Sequence, residues 1–391
     1  MDKKHRRMFG FLSGSILMIP VAVFLMTNAG QGVGASGEPQ ASADQGWRLA
    51  QPATYKNITV FPVVSSKDAD TSAFATLDEA LASGDVIVTE QGNYLRRTRD
   101  GGIVPMASTG AQVNQLVLVN RGKKPLLLLA GEIVSGGKQD RIIGKDRIVP
   151  VGAAPLPLEV FCVEHGRWTT GEAQFSAGNV MVHPSVREKA AVDQDQGQVW
   201  AAIRGDTAVA GGVALGRTDN SVSPAPPPPV STRVVEGLIA SAAPTESYRK
   251  IYQSSPVGTS VETFAGEVER RFTRATGGLK GERVVGVVIA YGSEVAWSDI
   301  FASSKLFNTY WPKLLRSYVV EALTRLATVE KVSIDDARDF LRPATGHVRE
   351  ESEPGVYRWR EQTEGRSAEI ELEALQPKPV TLHWLRVLRS N

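Results

Sequence analysis

The pair Gly136-Gly137 constrains this chain more than any other two residues. It stands between "LLLLAGEIVS" and "KQDRII", two runs suited to strands. Two glycines in a row suit a type I′ turn, whose central positions both need positive φ. Such a hairpin would set Ser135 against Lys138, Val134 against Gln139, Ile133 against Asp140 and Glu132 against Arg141. Alternation places Glu132, Gln139 and Arg141 on one face. A cross-strand ion pair between Glu132 and Arg141 is therefore expected.

The same mixture of apolar and charged residues returns in "FCVEHGRW", Phe161 to Trp168. Val160, Cys162 and Glu164 share a face of that strand, and Phe161, Val163 and His165 take the other. Cys162 and His165 thus point apart, against a local Cys–His nucleophile pair. Arg167 follows the strand end and could turn back towards Glu164 or Glu132. Charge on strands this apolar is costly to bury unless paired, which leaves three readings. In the first, a site holds a small anionic ligand bearing phosphate or carboxylate. Glu132, Gln139, Asp140, Arg141, Arg167 and Trp168 bind it, since arginine offers either anion a bidentate fork. Glu164 or Glu132 would supply acid–base chemistry, and Cys162 a nucleophile if the arginines stabilise its thiolate. In the second, the same residues are the satisfied ionic core of a scaffold or interaction module. The third, a metal-dependent hydrolase, would need an oxygen-rich set such as Glu132, Asp140 and Glu164.

The start of the chain differs in kind. Asp2 to Arg7 is basic, and Met8 to Thr27 is twenty uncharged, mostly apolar residues. Residues 1–29 therefore read as a signal peptide or membrane anchor, with cleavage expected after Ala29 or Ala35. Basic residues ahead of the segment predict export of the remainder across the cytoplasmic membrane. Arg6-Arg7 also has the form of a twin-arginine signal, although His5 and Gly10 depart from its flanks. Residues 30–53 are a tether rich in small and polar residues. A lone cysteine, Cys162, allows no internal disulfide. With 44 basic and 42 acidic residues, no basic surface argues for nucleic acid.

Period and punctuation predict an α+β fold: an antiparallel β-rich N-terminal half, an α+β C-terminal half with a long amphipathic helix, and terminal strands. Helix Thr76–Gly84 has a capping box from Thr76 to Glu79. Strands are expected at Val86–Glu90, Gln115–Asn120, Leu126–Ser135, Lys138–Ile143 and Leu158–Glu164. A helix opens at His183-Pro184, where His183 reads as a helix-entry residue rather than a base. Residues 217–232 contain "SPAPPPPVS", a solvated polyproline segment. Beyond it come a helix capped at Thr259, a hairpin turning at Gly292-Ser293, and a helix from Pro312 to about Thr328. A short helix capped by Ser333 and strands at Val356–Arg360, Ala368–Leu375 and Val380–Leu388 complete residues 331–391, read as an accessory unit. Asp299 and Lys305 flank Phe301, where a cleft wall and a solvated hairpin end are equally consistent. Trp200, Trp297, Trp311 and Tyr318 read as core. The five histidines show no ligand spacing, which counts against a His-built metal site, and neither a phosphate loop nor a Gly-x-Ser-x-Gly elbow occurs; the cofactor is unknown at this point.

"LDEALASGDVIVTE", "LVNRGKKPLLLLAGEIVSGGKQDR" and "LPLEVFCVEHGRW" together resemble a family of bacterial and archaeal proteins. It is the ADP-ribosylglycohydrolase and rhodanese-phosphatase-associated domain. "QVWAAI" and "DIFASSKLFNTYWPKLLRSYVVEAL" fit it as well. The resemblance covers residues 54–330 and implies one domain in which 217–232 is an insertion. It implies no established reaction.

Overall fold

The computed structural model describes residues 46–92, 94–97, 103–106, 112–163, 173–204, 248, 250–253, 257–325 and 330–389. The leader, residues 30–45 of the tether and the polyproline segment lie outside them; residues 46–53 of the expected tether are described, and Trp47–Leu49 among them pairs with Ile58–Ser65. Helix accounts for 28% and strand for 41%, a mixed α+β chain weighted towards strand.

The frame is one antiparallel sheet of nine strands. Its order is Trp47–Leu49, Ile58–Ser65, Arg283–Tyr291, Glu294–Phe301, Val380–Leu388, Ser367–Ala374, Tyr357–Glu364 and His347–Glu353, with Ala53–Tyr55 also pairing on Ile58–Ser65. All eight residues of Ile58–Ser65 are buried, which explains why "ITVFPVVS" reads as a continuous apolar run rather than an alternating one. Ile58, Val60, Val287, Ile289 and Trp297 pack with the helices Val257–Thr276 and Ser304–Thr324 on one face. Phe61, Val63, Val288, Ile300 and Trp384 pack with Ala337 of helix Ile334–Phe340 on the other.

The central hairpin turns at Gly292-Ser293, as expected, with Tyr291 opposite Glu294. The long helix begins at Ser304 rather than Pro312 and ends at Thr324. Ser303 Oγ accepts from Leu306 N–H at 3.0 Å, and this cap starts the helix eight residues ahead of the proline. The terminal segment is joined to the same sheet: Val380–Leu388 pairs with Glu294–Phe301 on one side and Ser367–Ala374 on the other. His347–Glu353, which carries no apolar alternation, is added at the edge. Helix Leu77–Ala82 forms with Thr76 N–H donating to Glu79 at 3.0 Å.

Shorter sheets carry the N-terminal half. Four strands lie in the order Val160–Cys162, Arg141–Ile143, Glu132–Gly136, Phe175–Met181. The expected strand Leu126–Ser135 is two strands, Leu126–Leu128 and Glu132–Gly136, separated by a turn. Gly131, at φ +96°, permits that turn. One pairing here, Ala75–Thr76 with Leu126–Leu128, is parallel. Pro184–Glu188 continues as a π turn, Lys189–Asp193, and Gln196–Arg204 follows as a separate helix. Among the described residues, no helix is long and apolar enough to cross a membrane.

Candidate functional site

The turn Leu129-Ala130-Gly131-Glu132 is the point on which most buried charge converges. Glu132 folds back on it, with Oε2 accepting from Leu129 N–H at 2.8 Å. Ala130 N–H donates to Asp146 Oδ1 at 2.7 Å, and Arg187 Nε donates to Ala130 O at 2.7 Å. Gly131 N–H donates to Ile143 O at 2.8 Å. A side chain at Gly131 would place its Cβ 2.8 Å from Arg187 Cγ and Cδ, so glycine is needed here for space as well as for φ.

Two ionic groups grow from this turn. In the first, Arg187 Nη1 spans both Asp299 oxygens at 2.7 and 2.9 Å. His383 bridges two carboxylates, Nδ1 to Asp146 Oδ2 at 2.5 Å and Nε2 to Asp299 Oδ1 at 2.9 Å. Trp297 Nε1 donates to Asp299 Oδ2 at 2.7 Å, and Tyr318 OH donates to the same oxygen. Burial alone would lower the His383 pKa, but Asp146 and Asp299 raise it above the ordinary imidazole value. An acceptor on each ring nitrogen requires two N–H donors, so the ring is an imidazolium. Burial would raise the Asp299 carboxyl. Arg187 and His383 instead hold it well below the carboxylate range. Two cations and two anions make the group neutral overall. Among the described residues Arg187 Nη2 has no hydrogen-bond partner, and the guanidinium lies 5.3 Å over the Trp297 ring.

In the second group, Lys313 Nζ donates to Glu132 Oε1 at 2.5 Å and Asp78 Oδ2 at 2.7 Å. Burial favours the neutral amine here, but Glu132 and Asp78 outweigh it and raise the Lys313 pKa. The ammonium also lies 4.5 Å from the Tyr310 ring centroid. Farther along the same helix, Glu321 accepts from Ser185 N–H, Ser185 Oγ and Arg325 Nε at 3.0, 2.7 and 2.8 Å. His183 stands at the entry of helix Pro184–Glu188 as the sequence indicated. It is buried, with Nδ1 against Tyr248 OH.

The expected Glu132–Arg141 pair is not formed. Val134 faces Arg141 and Ile133 faces Ile142, two positions from the pairing a Gly136-Gly137 turn would set. The reason lies on the other side of the strand, where Gly136 pairs with Phe175. A Cβ on Gly136 would sit 2.8 Å from Gln174 O, so this close approach keeps Gly136 in the strand. The turn moves on to Gly137–Gln139, and Asp140 Oδ1 accepts from Gly136 N–H at 3.2 Å. Both glycines keep the positive φ expected of them.

Within this loop Arg141 Nη1 donates to Gln139 Oε1 at 3.3 Å and Asp140 O at 3.1 Å. Gln139, Asp140 and Arg141 are all buried. Arg141 lies directly opposite Cys162 in the neighbouring strand, so the two side chains share a face. Gln196 clasps the cysteine backbone, accepting from its N–H at 2.7 Å and donating to its carbonyl at 2.9 Å. The fold thus brings Gln139, Asp140, Arg141 and Cys162 together, while Glu132 is turned to Lys313. Glu164, His165, Arg167 and Trp168 lie outside the described residues.

A family profile described as the ARG and Rhodanese-Phosphatase-superfamily-associated Protein domain matches residues 46–386. The chain belongs to that family. No curated protein and no solved structure matches it. The ARG and Rhodanese-Phosphatase-superfamily-associated Protein domain therefore takes in the terminal strands, with His383, along with the Leu129–Glu132 turn and both ionic groups.

Several members of these groups in the family domain escaped the sequence reading: Asp78, Asp146, Arg187, Lys313 and His383. The signals were present but faint. Lys313 interrupts "YWPKLL" on an apolar helix, and His383 interrupts "VTLHWLRVL" inside a strand. A polar residue amid an apolar element usually has a partner, but nothing local says which. Asp299, for which a cleft wall and a solvated hairpin end were equally consistent, is instead fully buried. Among the described residues, no group of three His, Cys, Asp or Glu could hold a metal ion. In Asp146–His383–Asp299 both ring nitrogens are spent as donors, which leaves no lone pair for a metal.

Proposed function

We propose that this family domain is a non-catalytic, exported scaffold or interaction module, and that its motif glutamate serves an ionic keystone rather than a reaction. The observation that carries this is enclosure. Glu132, Arg187, Asp299 and His383 are each at most 1% exposed, and each is engaged by an opposite charge. A general acid or base must come within hydrogen-bond reach of a substrate proton, and Arg187, Asp299 and His383 are committed to one another, as Glu132 is to Lys313. Export rests on the basic-then-uncharged leader, which would tether the module outside the cytoplasmic membrane or be removed from it. The test is imidazole NMR on His383. Ring N–H protons that stay protected against exchange support the keystone; rapid exchange together with titration near the ordinary value would return a catalytic reading.

A second reading rests on a different observation: Arg141 and Cys162 face each other across one strand pair, next to the point where the chain continues to Glu164. A small anion bearing phosphate or carboxylate could be held there by Arg141 with Gln139, Asp140, Arg167 and Trp168. Glu164 would be the acid–base group and Cys162 the nucleophile. If the first element of the family description stands for ADP-ribosylglycohydrolase, the association is with ADP-ribose and phosphate chemistry. That is an analogy at family level. Titration with inorganic phosphate decides it: equal binding by wild type, Cys162→Ser and Arg167→Ala ends this reading.

A further inference from the structure

The two ends of the nine-stranded sheet are finished differently. Trp47–Leu49 at one end is three residues long, and His347–Glu353 at the other is seven. An open strand edge is a template for another chain, and proteins blunt it by shortness, proline, lysine or a bulge. His347–Glu353 uses none of these. It contains neither proline nor lysine, and it pairs with Tyr357–Glu364 without a register shift. All seven of its residues are exposed. Other edge strands of similar length are covered. Val86–Gln91 is buried at five of six residues, and Phe175–Met181 buries Phe175, Gly178 and Met181.

The strand reads His-Val-Arg-Glu-Glu-Ser-Glu, an order complementary to itself. Set against a second copy, antiparallel and with Glu350 opposite Glu350, it places Arg349 opposite Glu351 and His347 opposite Glu353. Symmetry makes each contact twice, so four opposite-charge contacts form when the histidines are protonated. Only the central Glu350 pair is like-charged, and Arg360 lies opposite each member on the neighbouring strand. Sliding the second copy one or two residues either way leaves two such contacts at most. Within its own chain Arg349 meets Glu361 through Nε at 3.3 Å, and its side chain stays 43% exposed. Glu351 meets Lys145 and stays 49% exposed. Both therefore keep surface for a second partner. Val348, one of two exposed large hydrophobic residues among those described, would gain Ser352 of the second copy as a neighbour.

We infer that His347–Glu353 is the contact between two copies of this chain, paired antiparallel about a two-fold axis at Glu350. Two nine-stranded sheets thereby become one. Main-chain hydrogen bonds supply the attraction, as in other strand additions, and the charge order supplies the register. A two-fold contact of this kind closes on itself and stops at the dimer. Seven residues a side make a small interface, so the dimer is reversible rather than obligate. The inference goes beyond the scaffold reading and depends neither on the ionic keystone nor on chemistry at Arg141.

The experiment is oxidative cross-linking of the full chain carrying single added cysteines, at about 100 μM. The wild type, whose one cysteine is buried, is the control. Glu350→Cys should yield a covalent dimer, because a residue on the axis faces its own copy at about 5 Å, within disulfide reach. Val348→Cys should not, since the two copies of that residue lie about 13 Å apart along the strands. Val348→Cys/Ser352→Cys should cross-link again, as those positions face each other. All three positions are exposed, so folding is spared. Adding Glu353→Lys to Glu350→Cys should slow dimer formation about threefold or more. No dimer from Glu350→Cys would overturn the inference. Equal yield from Val348→Cys would do so too, because association through another surface, the leader included, cross-links both alike. An unchanged rate with Glu353→Lys would overturn it as well, since the register rests on charge.

Discussion

The ammonium of Lys313 lies 2.5 Å from Oε1 of Glu132, a residue 181 positions earlier. This contact joins the long helix to the turn that begins the N-terminal four-stranded sheet. Asp78 completes it from a third element. Because Glu132 and Lys313 are buried, removing Lys313 strands Glu132 in a poorly solvating interior, and removing Glu132 leaves Lys313 with Asp78 alone. Glu132→Gln or Lys313→Met alone should therefore cost about 3–5 kcal/mol in urea unfolding. The double variant should recover much of that loss. Additive losses would mean that the pair is not coupled.

His383 gives the protein a basic limb in its stability profile. Its folded pKa is raised above the ordinary 6.5. The stabilisation is fully present below about pH 6.5 and is lost as pH rises through the higher folded value. Unfolding free energy measured from pH 6 upwards should fall in the wild type. It should fall less steeply in His383→Gln, which is destabilised throughout. Parallel curves would remove His383 as the cause.

Glu321 works in the opposite direction. Burial would raise its carboxyl, but Arg325, His183 and the Ser185 hydroxyl bring it down to about 2. Its contribution is present above the ordinary value of 4.5 and disappears as pH falls towards 2. Glu321→Gln should flatten the acid limb of the stability curve between those values. An unchanged acid limb would show that other carboxylates set it.

Gly131 has two reasons to be glycine, its φ of +96° and the Arg187 stem beside it. Gly152 has only the first, with φ +66° and, among the described residues, nothing within 4 Å of the place a methyl group would take. Gly152→Ala should cost about 1 kcal/mol, and Gly131→Ala clearly more, about 3 kcal/mol or above. Equal costs in chemical denaturation would mean that Arg187 moves aside freely.

Cys162 is 7% exposed. A thiol reagent should therefore label the native protein at least about a hundredfold more slowly than the urea-unfolded chain, because labelling waits for an opening event. Native labelling at the unfolded rate would show an open thiol and strengthen the reading in which it meets a ligand beside Arg141.

Signals spanning a few residues were legible in advance. The Thr76–Glu79 capping box, the Gly292-Ser293 turn and the Ser333 cap all form as their spacing indicates. The α+β class followed from where period two gave way to helical spacing. Positive φ at Gly136 and Gly137 was legible too, but the register was not. Pairing with Phe175 on the far side of the strand competes with the turn and prevails. Pro312 misplaced the start of the long helix because a proline signal was weighed without the Ser303 cap.

By itself the sequence determined the local elements, the mixed fold class and the presence of charge on apolar strands, since each depends on neighbours in the chain. Only the tertiary structure decided which charges meet. Asp299 finds Arg187 at a separation of 112 residues, and His383 finds Asp146 at 237. Backbone periodicity carries no record of such partners. They are selected when the sheet closes and each buried charge must lie beside an opposite one or lose several kcal/mol of stability.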